Sequence, residues 1–304
     1  MPMLLPPASS DAFVIAVLPD TQIYPDHYPD LFLAQARFLR QHARRLGVAA
    51  VVHVGDVTNR NHPDEWEVAR AAFAEIDAAS LPLVVVTGNH DLGPKGGANN
   101  RTTGLDDIRQ VQASHASLGF LGTFDASVAN SAYVINTTLG EVLVIGLEFA
   151  PRPAAVAWAK QLLTDTPHAL AVVAAPSNTK HDDTLSDRTR HDQEWCPSAY
   201  GVGKAGGLDG EQLFAELRSA GNVQIIVSGH VLGRGVARVS RTNHLGRPCH
   251  ALLANYQHRE RGGDGYLRLL EFDPVAQHVR VYSYSPAIDA MRCADPEERI
   301  DLPL

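Results

Sequence analysis

The chain has 304 residues, of which 26 are lysine or arginine and 34 are aspartate or glutamate, so its formal charge is −8. The 45% of apolar and 20% of charged residues are typical of a globular protein and exclude the disordered and fibrous classes. The acidic balance argues against nonspecific binding to nucleic acid or to acidic membranes. Three distant cysteines, Cys196, Cys249 and Cys293, form no C-x-x-C pair, so neither a zinc ribbon nor a redox motif is predicted.

The amino-terminal segment carries no targeting pattern. Residues 1–11 contain no lysine or arginine, and prolines interrupt their apolar residues, so no secretion signal is predicted. No apolar run approaches the roughly 18 residues of a membrane-spanning helix. We therefore expect a cytoplasmic protein without a membrane segment, and the odd number of cysteines is compatible with a reducing compartment.

The first 90 residues alternate between short apolar runs and amphipathic segments. Such alternation predicts parallel strands with helices packed on the sheet. Strands are predicted at residues 13–18, 48–54 and 81–87, and helices from near Asp30 to a stop at Gly47 and from Pro63 onward.

The same alternation continues up to Gly229, after which short strands and turns follow each other. Strands are predicted at 132–135, 142–147, 170–174, 223–227, 235–240, 249–254, 267–272 and 279–284, and helices at 153–163 and 210–220. Two long connections, residues 88–104 and 177–209, interrupt this pattern, and such loops are usually functional or mobile. Because no linker-like segment divides the chain, we expect a single domain over residues 1–304, with a core at 13–285 and a C-terminal tail at 286–304.

Polar side chains follow four of the predicted strands directly. Ligands of open α/β sheets bind outside the carboxyl ends of the strands. Each segment alone is compatible with an ordinary turn, but Asp, Asn, Gln and His together suit a divalent ion of the Mn, Fe or Zn type. The four segments are Asp20-Thr21-Gln22, Gly55-Asp56 with Asn59, Gly88-Asn89-His90-Asp91, and Gly229-His230.

In this order the four segments resemble the calcineurin-like metallophosphoesterase superfamily, over roughly residues 13–285. Residues 147–149 (LEF) and 253–257 (LANYQ) resemble a bacterial branch that also begins with Asp-Thr-Gln. The resemblance implies an α/β fold, a four-layer αββα sandwich of two mixed β-sheets flanked by helices. It also implies a hydrolase that cleaves a phosphomonoester or phosphodiester through a metal-activated water, with two divalent ions (Mn, Fe, Zn or Mg) as cofactors.

The resemblance also implies a role for individual residues around the metals. Asp20 and Gln22 would serve the first metal, and Asn89 and His230 would serve the second. Asp56 would bridge the two ions, because a carboxylate between two cations offsets their repulsion.

Three further residues would act on the substrate. His90 would donate a proton to the leaving oxygen, and Asp91 would orient and charge the His90 ring, as carboxylates do for imidazoles elsewhere. Asn59, tied to the Gly-Asp turn, would contact the phosphate. The expected partner is a phosphate-ester substrate; the sequence carries no nucleic-acid-binding signature and predicts no oligomeric state.

The sequence departs from the pattern of the superfamily at four positions. Gln22 stands where Asp-x-His is common, and Leu232 stands where the closing Gly-His-x-His has its second histidine. The strand at 170–174 should lead to a metal-binding histidine, and Ala175 is the expected equivalent. Ser198 replaces a histidine within the Trp-x-Pro-His-Ser-Tyr stretch of the branch. Each metal would keep three protein ligands, and water or phosphate would supply the rest.

These departures leave alternatives open. His181 or His191 could replace a missing ligand, although histidines in a polar surface loop are usually solvated. The site could also hold one metal, or two weakly. Finally, the chain could have lost catalysis and act as a metal-binding, phosphate-binding or interaction protein. The retained His90-Asp91 pair favours catalysis, whereas the missing histidines favour the last alternative.

Overall fold

The apolar runs of the sequence form strands whose alternate side chains point to opposite faces. The structure, a computed structural model, describes residues 7–108 and 116–304. The strands of the described part are β1 (Phe13–Leu18), β2 (Val48–His53), β3 (Leu83–Val85), β4 (Phe120–Thr123), β5 (Ser131–Thr137), β6 (Gly140–Gly146), β7 (Leu170–Ala174), β8 (Val223–Ser228), β9 (Val236–Thr242), β10 (Pro248–Ala254), β11 (Leu267–Asp273), β12 (His278–Ser285), β13 (Ala290–Arg292) and β14 (Arg299–Pro303).

These strands form two mixed sheets. Sheet 1 has the order β13-β12-β11-β1-β2-β3, with β14 also paired to β12, and sheet 2 has the order β4-β5-β6-β7-β8-β10-β9. In sheet 1 the strands β1, β2 and β3 are parallel, and Val17 of β1 lies beside Val52 of β2. In sheet 2 the strands β6, β7, β8 and β10 are parallel. The loops that follow parallel strands therefore collect at one edge of each sheet.

The two sheets face each other across an apolar core, which contains Val17 and Val84 of sheet 1 together with Val144 and Val227 of sheet 2. Separate apolar clusters join the outer face of sheet 1 to α2 and α3, and that of sheet 2 to α4 and α6. The four-layer αββα arrangement expected from the sequence is therefore confirmed. The helices are α1 (Tyr24–His27), α2 (Pro29–Leu46), α3 (Pro63–Asp77), α4 (Pro153–Asp165), α5 (Gly201–Lys204) and α6 (Gly210–Leu217).

Local sequence explains most helix boundaries. Gly47 ends α2 with φ of 64°, a left-handed conformation that costs glycine little. The helix begins at Pro29, just before the expected cap Asp30. At the start of α3, the His62 ring accepts a hydrogen bond from the Asp64 backbone N–H, and Pro63 occupies the first turn as expected.

The main difference from the expected organisation lies at the carboxyl end of the described chain. Residues 286–304, expected as a tail, include β13 and β14, and both strands pair with β12. Leu302 of β14 is fully buried between neighbouring residues of the core. These strands are three and five residues long, too short for a period to stand out in the sequence. The half-exposed edge strand β4, with Gly122 inside it, was not predicted either, because its four residues are too few to show a period.

No helix within the two described ranges combines the length and the apolar character that crossing a membrane requires.

Aromatic side chains pack helices α2 and α3 against strand β2 of sheet 1. Phe32 and Phe73 meet edge to face with ring centroids 5.6 Å apart, and each centroid lies 5.9 Å from that of His53 on β2. Neither phenylalanine is exposed to solvent.

Phe73→Ala should lower the free energy of unfolding by about 3–5 kcal/mol, because it removes a buried ring and leaves a cavity. Chemical denaturation at neutral pH measures this loss. Glu67→Ala, an exposed change on the same helix, is the matched control and should stay within about 0.5 kcal/mol of the parent chain. A loss below 1 kcal/mol for Phe73→Ala would contradict the role given to this cluster.

Candidate metal centre

Loops from both sheets bring buried polar side chains together at one edge of the sandwich. Asp20 follows β1 and Asp56 follows β2, whereas His230 and Asn255 follow β8 and β10 of the opposite sheet. All four are at most 5% exposed. Asn255 Nδ2 donates to Asp20 Oδ2 at 3.1 Å, and His230 Nδ1 lies 3.4 Å from Asp56 Oδ2. The site is therefore assembled across the gap between the sheets.

Two glycines allow the loops after β2 and β3 to touch. A Cβ atom on Gly88 would lie only 2.1 Å from Asp56 Oδ1, so no other residue fits there without displacing Asp56. Gly55 has φ of 89°, and a Cβ on it would meet the Gly88 nitrogen at 2.5 Å. This close approach lets the His90 backbone N–H donate to Asp56 Oδ1 at 2.8 Å.

The two carboxylates at the centre perturb each other. Burial and the adjacent negative charge of Asp56 raise the pKa of Asp20 well above its usual value. Burial also acts to raise the pKa of Asp56, but the nearby imidazoles of His230 and His90 and the hydrogen bond from the His90 backbone N–H bring it below its usual value. Two acids buried side by side need a proton or a cation between them.

The ring of His230 has a defined orientation. Its Nε2 lies 3.1 Å from the Trp195 carbonyl oxygen, and a carbonyl only accepts, so Nε2 carries the hydrogen. The lone pair of Nδ1 in the neutral ring then faces the Asp56 carboxylate. These two electron-rich atoms repel each other unless a cation or a second proton lies near both.

Two amide oxygens complete the set of donors. Gln22 Oε1 and Asn89 Oδ1 are buried and have no hydrogen-bond partner among the residues that the structure describes, although a buried acceptor is normally satisfied. Gln22 Nε2 donates to Asn59 Oδ1 at 2.8 Å, which fixes the direction of the Gln22 amide. The sequence predicted both amides as metal ligands.

These residues fit a divalent metal ion. Carboxylate, amide and imidazole donors suit ions such as Mg, Mn, Fe or Zn, and the orphaned oxygens of Gln22 and Asn89 need a positive partner. In the described part of the chain, no group of three or more His, Cys, Asp or Glu side chains is placed to hold a metal. A metal here would therefore depend on the amide oxygens. The predicted ligands are Asp20, Gln22, Asp56, Asn89 and His230.

The expected pairing of Asp91 with the His90 ring is wrong. The Asp91 carboxylate accepts from the backbone N–H groups of Val57 at 3.0 Å, Thr58 at 2.8 Å and Gly88 at 2.9 Å. Burial and the charge of Asp56 raise its pKa to about 7. The Asp91 carboxylate thus joins the loops after β2 and β3, and these hydrogen bonds come from the backbone and not from the His90 ring.

His90 finds a different partner. Its Nδ1 lies 2.8 Å from the Asn59 carbonyl oxygen, so Nδ1 carries a hydrogen, and Nε2 has no hydrogen-bond partner within the described ranges. The ring is only partly buried, in contrast to the metal-site residues around it. A backbone carbonyl therefore orients this imidazole, in place of the expected carboxylate.

Ala175 and Leu232, the two positions at which a family histidine was expected, lie in different surroundings. Ala175 belongs to the apolar cluster outside sheet 2, together with Ala155 and Leu213, so its side chain does not face the site and its expected equivalence to a ligand is wrong. Leu232 is half-buried after His230. Leu232 offers no ligand atom, and position 175 is ordinary core.

Neither candidate for a replacement ligand joins the carboxylates. The His181 ring packs against Trp195 with centroids 6.3 Å apart and lies beside Gly233, while His191 is exposed. Because the described residues contain no cluster of three His or acidic side chains suited to a metal, neither histidine completes the set around Asp56.

His53 is a structural residue beneath the site. The Thr21 hydroxyl donates to the Val57 carbonyl at 3.1 Å and can therefore accept from His53 Nε2 at 3.0 Å. The Gly55 N–H donates to Nδ1 at 3.2 Å. Both nitrogens are used by the neutral ring, and burial lowers its pKa to about 3.

The folded chain should therefore resist protonation of His53, whereas the unfolded chain binds that proton near pH 6.5. The contribution of His53 to stability is complete above pH 6.5 and falls by about 1.4 kcal/mol per pH unit below it. His53→Gln keeps a donor and an acceptor without titrating. Between pH 7 and pH 5 the parent chain should lose about 2 kcal/mol more than this variant, measured by denaturant unfolding. The exposed control His278→Gln should follow the parent, and equal losses for all three chains would refute the assignment.

Comparisons with known proteins identify the family of the chain. The family model described as calcineurin-like phosphoesterase matches residues 13–234. A curated relative, the uncharacterized protein YvnB of Bacillus subtilis, is 26% identical over 298 residues. That alignment covers 93% of this chain but 20% of YvnB, so the chain spans about a fifth of the length of this relative.

Solved structures share the fold at low identity. A dimetal phosphatase of Danio rerio is 13% identical with a TM-score of 0.56, covering 96% of this chain and 98% of its own. The purple acid phosphatase PPD1 of yellow lupin is 14% identical with a TM-score of 0.50, covering 94% and 53%. GAP50 of Plasmodium is 12% identical with a TM-score of 0.52, covering 97% and 90%. With the match of the family model to most of its length, the chain belongs to the calcineurin-like phosphoesterase family.

Proposed function

We propose that the chain is a metal-dependent phosphoesterase that hydrolyses a phosphomonoester or a phosphodiester. One observation carries the proposal: buried acceptors from both sheets converge at one point, and two of them lack a hydrogen-bond donor among the described residues. These acceptors are the paired carboxylates of Asp20 and Asp56, the Nδ1 of His230 that faces Asp56, and the orphaned oxygens of Gln22 and Asn89.

Divalent ions, when bound, would neutralise the charge of the phosphate and make a water more acidic. Asp20 and Gln22 would hold one ion, Asn89 and His230 a second, and Asp56 would serve both. The Asp91 carboxylate keeps the loops after β2 and β3 in contact, so that Asn89 and Asp56 stay side by side.

His90 and Asn59 act on the substrate in this proposal. With its Nδ1 hydrogen directed at the Asn59 carbonyl, the His90 ring presents Nε2, and the cationic ring can donate that proton to the leaving oxygen. The Asn59 side chain accepts from Gln22 through Oδ1, which leaves its Nδ2 group to donate to a phosphate oxygen.

His90→Ala should lower kcat by about 10²–10⁴-fold for esters with poor leaving groups, because these need a proton on the departing oxygen. The loss should be smaller for p-nitrophenyl phosphate than for phenyl phosphate, and likewise for the corresponding diesters. Assays use metal-loaded protein, and a chelator should abolish turnover. His191→Ala, at an exposed histidine, is the control. Equal losses for good and poor leaving groups would remove His90 from the role of acid.

Asp56→Asn should reduce the number of metal ions retained per chain, because the amide keeps the shape of the side chain but loses its charge. Elemental analysis after dialysis gives the stoichiometry, and circular dichroism checks the fold. Asp192→Asn changes an exposed carboxylate in the same way and should leave the metal content unchanged. An unaltered stoichiometry in Asp56→Asn would refute its place between the ions.

A second function is favoured by the substitution of Gln22 and Leu232 for family histidines: a member that binds metal and phosphate without turning esters over. The same measurements separate the two. Retained metal with no hydrolysis across mono- and diesters supports the binding protein, whereas chelator-sensitive hydrolysis supports the enzyme.

A further inference from the structure

One segment of the long loop at 177–209 covers the His230 side of the site from two directions. At its start, the Trp195 carbonyl accepts from His230 Nε2. At its end, the ring of Tyr200 packs on the His230 ring with centroids 5.5 Å apart. The residues from 195 to 200 therefore hold one aromatic side chain directly against a proposed metal ligand.

The Tyr200 ring is fixed in place by a small apolar cluster. It meets Phe149 edge to face at 5.2 Å, and Phe149 itself lies 5.0 Å from His230. The Val202 N–H donates to the Ala98 carbonyl at 3.0 Å, which ties the loop at 177–209 to the loop at 88–104. We call this group the loop-joining cluster; its members are Leu92, Ala98, Phe149, Ala150, Tyr200 and Val202.

The hydroxyl of Tyr200 is uncommitted although the ring is held. Among the residues that the structure describes, no hydrogen-bond partner contacts this hydroxyl, and the side chain is only partly buried. Because its ring packs on the ring of His230, the phenol lies beside the proposed metal site, and a phenol is a hydrogen-bond donor at neutral pH.

We propose that the Tyr200 hydroxyl donates a hydrogen bond to a phosphate oxygen of the substrate. A phosphate group at this site needs several hydrogen-bond donors. The Asn59 Nδ2 group, and His90 Nε2 when the ring is cationic, can donate from the sheet 1 side, and Tyr200 supplies a donor from the loop that covers His230. This inference rests on the proposed function, because it takes a phosphate ester as the ligand.

The test uses Tyr200→Phe, which keeps the ring against His230 and Phe149 and removes the hydroxyl alone. The probe is inorganic phosphate, titrated calorimetrically into the full chain loaded with Mn²⁺. We expect about tenfold weaker phosphate binding, the scale of one lost hydrogen bond to a charged acceptor, with unchanged metal content and melting temperature. Tyr28→Phe removes a partly exposed hydroxyl at the start of α2 and should bind phosphate as the parent does.

The outcomes separate this inference from the proposed function. If Tyr200→Phe binds phosphate as tightly as the parent, or if it loses metal or melts earlier, the inference is overturned. A parent chain that binds no phosphate at all overturns it as well. If the parent binds phosphate yet hydrolyses no ester, the proposed function fails, and weaker binding by Tyr200→Phe still supports the contact.

Discussion

The structure depends on the burial of two carboxylates, Asp20 and Asp56, side by side between two apolar sheets. Taking two negative charges out of water is expensive, and their mutual repulsion adds to that cost. The fold places them together because β1 and β2 are parallel neighbours that end at the same edge. Around the pair, the side chains of Gln22, Asn89 and His230 present acceptor atoms. An arrangement of this kind needs a proton or a cation between the two acids, and the proposal of a metal site at this edge starts from that requirement.

The polar side chains below the carboxylates mainly hold the loops together through hydrogen bonds. Asp91 bonds to backbone of the loop after β2, and His53 bonds to Thr21 and Gly55, so three loops are joined below the carboxylates. The amide of Asn59 sets the direction of Gln22 in the same manner. His53 and Asp91, which lie below the carboxylates, have their acceptors occupied by hydrogen bonds. Gln22 Oε1 and Asn89 Oδ1, at the site itself, lack such a partner among the described residues.

Much of this was predictable, and the failures have specific causes. The strand β1 and the stop at Gly47 follow from apolar runs and backbone preference, and the four strand-end segments pointed to one edge because parallel strands share it. The face of Ala175 was misjudged because side chains alternate along a strand, and a shift of one residue moves a side chain from the gap between the sheets to the core outside them. The partners of Asp91 could not be found from sequence. Its position next to His90 in the chain does not tell which backbone N–H groups of another loop will contact its carboxylate. Tyr200 matches the tyrosine of the Trp-x-Pro-His-Ser-Tyr stretch, but nothing in that stretch indicates that its ring packs on His230.

The loop-joining cluster links two segments that lie about a hundred residues apart in the chain, and it does so with very few side chains. Ala98 and Val202 touch through backbone as well as side chain, so neither loop can change length or bulk without the other. Among relatives that share this site, the two loops are expected to vary as a pair. A new substrate preference would then be acquired by exchanging both segments together. Transplanting only one of them would disturb the packing of Phe149 and Tyr200 against His230.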